Sequence, residues 1–153
     1  MKVTLNRVND NYHFHLKNER GHIINVDNRA EFGGDDLGAS PMELLLMGVA
    51  SCSAIDMISI LKKQRQEINS FIAEVEGLRV QIEDAKPFKE ITVVFFLEGP
   101  INEEKAARAA QLSFDKYCSV SKTLEPTATV NYKVVLNGNS IPNTSQSEDN
   151  QDK

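Results

Sequence analysis

Apolar and polar positions alternate in the N-terminal part of the chain. From Lys2 to Val8, Val3, Leu5 and Arg7 share one side; Tyr12, Phe14 and Leu16 alternate with His13, His15 and Lys17; Ile23, Ile24 and Val26 form a third short run. A period of two marks half-buried strands. Asn9-Asp10-Asn11 and Glu19-Arg20-Gly21 supply turn residues between them, so the pattern predicts hairpins.

The period then changes. Phe32-Gly33-Gly34-Asp35-Asp36-Leu37-Gly38 is rich in glycine but matches neither GxGxxG nor a Walker A loop, so it reads as a flexible approach to a helix. Ser40-Pro41-Met42-Glu43 is a helix start: Ser40 can cap, Pro41 suits the first helical position, and Glu43 closes a capping box. The helix is expected to run to about Gln66, with Leu45, Val49, Cys52 and Ile55 on one stripe. From Leu44 to Leu61 it is apolar nearly all round, and such a helix is buried on most sides. A domain of this size rarely surrounds a helix, so a second subunit is expected to cover part of it.

Phe71 to Ile82 reads as a long strand, Pro87-Phe88 breaks the chain, and Ile91 to Leu97 is a β-branched and aromatic strand. Asn102-Glu103-Glu104 opens an amphipathic helix to about Tyr117, and Thr129 to Leu136 alternates as a last strand. The order β-β-β-α-β-β-α-β predicts an α+β fold of antiparallel sheets, one domain over residues 1–138. Residues 139–153 are Asn, Ser, Gln and acidic residues with Ile141 almost alone among them, a tail expected to be disordered and dispensable.

Composition narrows the class. The 153 residues are 41% hydrophobic and lack tryptophan, so aliphatic side chains must fill the core. A net charge of −5 repels phosphate backbones, which excludes nucleic acid as an expected partner. No uncharged apolar run reaches membrane-spanning length and Met1 to Val8 is not a signal peptide, so no membrane association and a cytoplasmic location are expected.

The two cysteines are then buried hydrophobes or chemistry. Cys52 lies mid-helix among small residues, Ala50-Ser51-Cys52-Ser53-Ala54, which leaves room for a partner or substrate. Cys118 ends the second long helix, where a thiol would border solvent and could move. Asp56 falls one turn after Cys52 on the same face, a negative charge that opposes a thiolate. His13 and His15 share a strand face but find no third ligand, and no CxxC spacing occurs, so no metal and no cofactor are expected. No GxSxG elbow points to serine hydrolysis.

Together, the glycine pair, Ser40-Pro41-Met42-Glu43-Leu44-Leu45 and Ala50-Ser51-Cys52 resemble the central helix of the OsmC/Ohr superfamily. Cys118-Ser119-Val120-Ser121-Lys122-Thr123-Leu124 resembles its second motif, in which a cysteine is usually followed by proline, an apolar residue and serine. Pro-Met-Glu-Leu and Cys-Ser-Ala-Ile-Asp look most like the YhfA-type, OsmC-like branch. The resemblance implies antiparallel sheets around a long central helix in an intertwined homodimer. It also implies a thiol-dependent peroxidase. Cys52 would attack the O–O bond of a small hydrophobic hydroperoxide and become a sulfenic acid, Cys118 would resolve it as a disulfide, and an external thiol would reduce the pair. The characterised enzymes hold the thiolate with an early-strand arginine and a glutamate directly after the proline. Here Met42 follows Pro41, and the acid is Glu43. One helical step turns a side chain by about 100°, and nine residues span about 13.5 Å, so a contact between Glu43 and Cys52 would need the partner chain. The strand Tyr12 to Lys17 has no arginine; Arg7, Arg20 and Arg29 are nearby, and Arg20 or Arg29 is the first candidate.

A second reading keeps the fold without the catalysis, since fold does not fix function: a redox sensor, or a protein that binds a hydrophobic ligand. A metal protein using His13 and His15 is a third.

Overall fold

The computed structural model describes residues 1–143. Residues 144–153, most of the expected tail, lie outside the described residues. The chain divides into two compact units, Met1–Leu45 and the chain from Leu46 onward.

In the first unit, β1 (Val3–Arg7), β2 (Phe14–Asn18) and β3 (Ile23–Val26) form an antiparallel sheet in that order. Leu5 pairs with Leu16 and Leu16 with Ile24, so the alternation seen in the sequence sets the register. Within this unit only Val26 and Asp27 are buried, while Val3, Leu5, Ile23 and Ile24 stay more than half exposed.

The glycine-rich loop is not the flexible approach that its composition suggests. A 3-10 turn, Ala30–Phe32, opens it, and it closes around Asp27. That carboxylate accepts from the backbone N–H groups of Asn28 (2.7 Å), Leu37 (3.1 Å) and Asp35 (3.3 Å). Burial raises the Asp27 acid, but these donors outweigh it and hold the group below its usual 3.8. Gly34 is required by close approach: a Cβ there would lie 1.9 Å from the Asn28 carbonyl oxygen.

Helix α1 (Pro41–Lys63) starts where the capping box places it and crosses from the first unit into the second. In the second unit, β4 (Ser70–Arg79), β5 (Phe88–Glu98), β6 (Thr129–Leu136) and β7 (Asn139–Ile141) form a sheet in chain order. Between β5 and β6 the chain runs through α2 (Glu103–Leu112), a π-helical turn (Ser113–Tyr117) and α3 (Ser119–Leu124). The α+β class holds, but the sheets are not wholly antiparallel. β5 and β6 pair in parallel, because the helical crossover returns the chain to the same end of the sheet before β6 begins.

The core lies between this sheet and its helices. Ile91, Val93, Phe95 and Leu97 alternate on one face of β5 and are fully buried or nearly so. Val49, Met57 and Leu61 of α1, four alanines of α2, Phe114, Val134 and Leu136 join them. Phe71, Phe95, Phe114 and Tyr132 form an aromatic chain, with the last pair stacked at 4.7 Å.

The buried face of α1 differs from the expected one, and its place in the fold bears on the membrane question. By length and composition this helix could cross a membrane, its best window reaching a mean hydropathy of 2.0. Its packing on the sheet identifies it instead as a core helix. The buried row is Val49, Ser53, Met57 and Leu61, not the stripe of Leu45, Val49, Cys52 and Ile55. Leu45 and Ile55 are 38% and 68% exposed.

The chain does not leave the sheet at Gly138. Asn137-Gly138, both at positive φ (49° and 82°), turn the chain back so that Asn139–Ile141 pairs with β6. Asn-Gly is a strong two-residue hairpin signal. Ile141 is 6% exposed and belongs to the core. Residues 139–141 therefore form part of the sheet and its core, and we propose that they contribute to stability. Ile141→Ala should cost about 2–3 kcal/mol in a denaturant melt, the price of a cavity in the core. A chain ending at Gly138 should melt well below the full-length protein; equal melting temperatures would show that β7 adds nothing.

Candidate functional site

Four-residue spacing on α1 creates a second row beside the buried one: Gly48, Cys52, Asp56 and Ile60. Each residue lies one position before a member of the buried row, so it is turned about 100° from the sheet. This row meets the crossover segment. Val120 comes within 3.5 Å of where a Gly48 Cβ would stand, which an unbranched backbone leaves open. Ser113 donates to the Asp56 carboxylate at 3.2 Å and reaches the Ser53 carbonyl at 3.5 Å. Ile60 and Leu112 line a cavity of about 310 Å³ together with Asp56, Ser59, Lys63, Gln64 and Tyr117.

Between these contacts the two thiols meet. The Cys52 sulfur, the Cys118 sulfur and an Asp56 oxygen all lie within 4.8 Å of one another. Both cysteines are free, Cys52 half-buried and Cys118 buried. Residues 66 positions apart (118 − 52) are thus neighbours.

The π-helical turn is what brings Cys118 in. Its N–H donates to the Ser113 carbonyl at 2.7 Å, five residues back, closing the wide turn. One extra residue in the turn rotates the downstream backbone, so the chain leaves α2 in a new direction and Cys118 becomes the N-cap of α3. Its sulfur accepts from the Ser121 N–H at 3.4 Å. The sequence pattern places Cys118 at a solvent-bordering helix end. Instead the thiol is fully buried, because a second short helix folds over it. The pattern carries no mark of that break: residues 102–117 read as one amphipathic helix.

Burial pushes the Cys118 thiol up to about 11; the Ser121 N–H opposes this, while the neighbouring Cys52 thiol and the Asp56 carboxylate add to the rise. Cys118 is therefore a neutral thiol at neutral pH.

The other expected site residues lie in the first unit. Glu43 accepts from the Ser40 N–H and the Ser40 hydroxyl, both at 2.7 Å, which completes the capping box. It also pairs with Arg29 at 3.4 Å. The Ser40 bonds and then Arg29 hold the Glu43 acid below its usual range. Of the two candidate arginines, Arg29 thus has a carboxylate partner in Glu43 and a second in Glu31 at 3.7 Å. His13 and His15 stand edge to face at 5.3 Å, and His13 bonds the Asn25 amide oxygen at 2.9 Å. Among the described residues the converging donor triple is Cys52, Asp56 and Cys118, not the histidine pair.

The family of OsmC-like proteins matches this chain over residues 33–133. Protein YhfA of Escherichia coli strain K12 is 36% identical over 118 residues, covering 75% of this chain and 84% of that protein. A crystal structure of a protein from Aquifex aeolicus VF5 superposes with a TM-score of 0.72 at 31% identity, over 88% of this chain and 96% of that one. An organic hydroperoxide resistance protein from Elizabethkingia anophelis, solved with crystallant-derived thiocyanate bound, shares the fold with a TM-score of 0.69 at 17% identity, over 90% and 97% of the two chains.

The geometry orders the two thiols by reactivity. Iodoacetamide at neutral pH should label Cys52 in the folded protein and leave Cys118 untouched until the pH approaches about 11 or the protein unfolds. Peptide mapping by mass spectrometry reads this directly; equal labelling of both at neutral pH would contradict it.

Proposed function

This chain belongs to the OsmC-like protein family, and we propose that it is a thiol-dependent reductase of organic hydroperoxides acting through Cys52 and Cys118. The observation that carries the reading is the meeting of the two sulfurs, with Asp56, inside 4.8 Å. Structural neighbours named as organic hydroperoxide resistance proteins support it.

The assignment of roles rests on exposure. Cys52, the half-buried thiol, meets the substrate; Cys118, buried and neutral, waits. The Cys52 thiolate attacks the O–O bond, taking one oxygen to become a sulfenic acid while the alkoxide leaves and is protonated to the alcohol. The Cys118 sulfur then attacks the Cys52 sulfur, the disulfide forms, and water leaves with the sulfenic oxygen. An external dithiol reduces the pair and is itself oxidised. Disulfide closure needs sulfurs about 2.05 Å apart, so one side chain must move by an ångström or more. The reaction has no place for a cofactor.

The site favours carbon-rich substrates. Apolar area buried on binding contributes about 25 cal/mol per Å², which a bulky organic hydroperoxide supplies and hydrogen peroxide does not. The assay is consumption of cumene hydroperoxide with dithiothreitol as reductant. Turnover should exceed that with hydrogen peroxide and vanish in Cys52→Ser. In Cys118→Ser the Cys52 sulfur should overoxidise after about one turnover. Asp56→Asn removes a charge that keeps the Cys118 thiol protonated and should speed disulfide closure several-fold. No consumption by the wild type, with both thiols oxidised independently, would sink the reading; a stoichiometric disulfide without turnover would favour a redox sensor.

The working unit of this reading is a cytoplasmic homodimer. The first sheet leaves Val3, Leu5, Ile23 and Ile24 uncovered, and α1 presents Met47 and Ile55 at 54% and 68% exposure. A three-stranded sheet with so little buried surface is marginal alone, and a second copy supplies the missing cover. Sedimentation equilibrium should show dimers at micromolar concentration. Ile55→Glu should shift the protein toward monomers; a folded wild-type monomer would refute the dimer.

A further inference from the structure

The three groups that meet at the thiol pair are also a ligand set. We propose that Cys52, Asp56 and Cys118 bind one zinc ion, with water as the fourth ligand. The absence of a CxxC spacing does not count against this, because the crossover supplies the second sulfur from a distant part of the chain. Cys52 and Asp56 stand four apart on one helix face, a spacing at which both side chains reach a common point. All three donor atoms already lie within 4.8 Å of one another. Sulfurs on a tetrahedral zinc, at about 2.3 Å each, stand about 3.8 Å apart. A side-chain adjustment of about 1 Å therefore closes the set.

Two further features fit an ion. The Ser113 hydroxyl donates to the Asp56 carboxylate at 3.2 Å and so orients it, the kind of outer contact that steadies metal ligands. Asp56 also lines the cavity of about 310 Å³, so the carboxylate end of the set borders open space. Thiolate donors suit zinc over magnesium or calcium, which prefer oxygen.

Binding displaces one proton from each thiol. Two thiolates and one carboxylate then surround a doubly charged ion, leaving a net charge of −1. Zinc and disulfide exclude each other at this site, since both use the same two sulfurs. An organic hydroperoxide that takes two electrons from the bound thiolates yields the disulfide, the alcohol and water, with two protons drawn from solvent, and frees the ion. Zinc binding itself stands apart from the reductase reading, because it requires the geometry and no turnover.

The test is a titration of reduced full-length protein with Zn2+ against a chromophoric chelator. The wild type should take up about one ion per chain. Cys52→Ser should weaken binding at least about 100-fold and Asp56→Asn at least about tenfold, whereas His13→Ala/His15→Ala should bind as the wild type does. Co2+ in place of Zn2+ should give the wild type a thiolate-to-cobalt charge-transfer band that Cys52→Ser reduces, a readout that needs no Cys118 variant to fold. Peroxidase assays of the same zinc-free preparations report separately on the reductase reading. Failure of the wild type to hold zinc against the chelator, or unchanged binding in Cys52→Ser, would overturn the site.

Discussion

The rotation of α1 about its own axis is the constraint on which the site depends. Val49, Ser53, Met57 and Leu61 are locked against the sheet, each fully buried. Once that row is set, the row beside it has no freedom. Gly48, Cys52, Asp56 and Ile60 must face the crossover segment, where Val120, Cys118, Ser113 and Leu112 meet them in the reverse order. Cys52 can thus be half-buried and next to Cys118 while belonging to a core helix. A large residue at Gly48 would push on Val120 and disturb the contact from one end.

The π-helical turn is the matching constraint on the other side. A regular α-helix through residues 113–117 would carry Cys118 onward along the same axis. The wide turn, closed by the Cys118 N–H on the Ser113 carbonyl, redirects it and lets α3 cover the sulfur. It also leaves Ser113 facing Asp56. One local irregularity therefore places both the buried thiol and the hydroxyl that orients the carboxylate. Such insertions often mark functional positions, because a uniform helix could not aim two side chains in this way.

Charge gives the site its character. A buried thiol, a half-buried thiol and a carboxylate crowd into a small volume, and the burial and negative neighbours of Cys118 keep it protonated. Crowding of this kind is relieved when the sulfurs share a covalent bond, which removes both ionisable groups, or when a cation enters. The capping box of Ser40 and Glu43, with Arg29 paired to Glu43, belongs to the first unit and answers a different need, the free N–H groups at the start of α1.

Much of this was legible in the chain itself. The alternation of β1, β2, β3 and β6, the capping box at Ser40 and the β-branched run of β5 are local signals, each set by steric preference or period. The family resemblance rested on two short motifs and pointed to both cysteines. The Asn137-Gly138 turn was also present as a signal, though the polar composition around it masked the buried Ile141. What the chain could not show is non-local. The parallel pairing of β5 with β6 depends on where the crossover lands, and the choice of buried row on an all-round apolar helix depends on which face the sheet meets. The burial of Cys118 depends on a break that the helical pattern of residues 102–117 conceals. Period and propensity act over a few residues, so they determine the elements of this protein. Only packing between distant elements decides which side chains of those elements come together, and for Cys52, Asp56 and Cys118 that meeting is the chemistry.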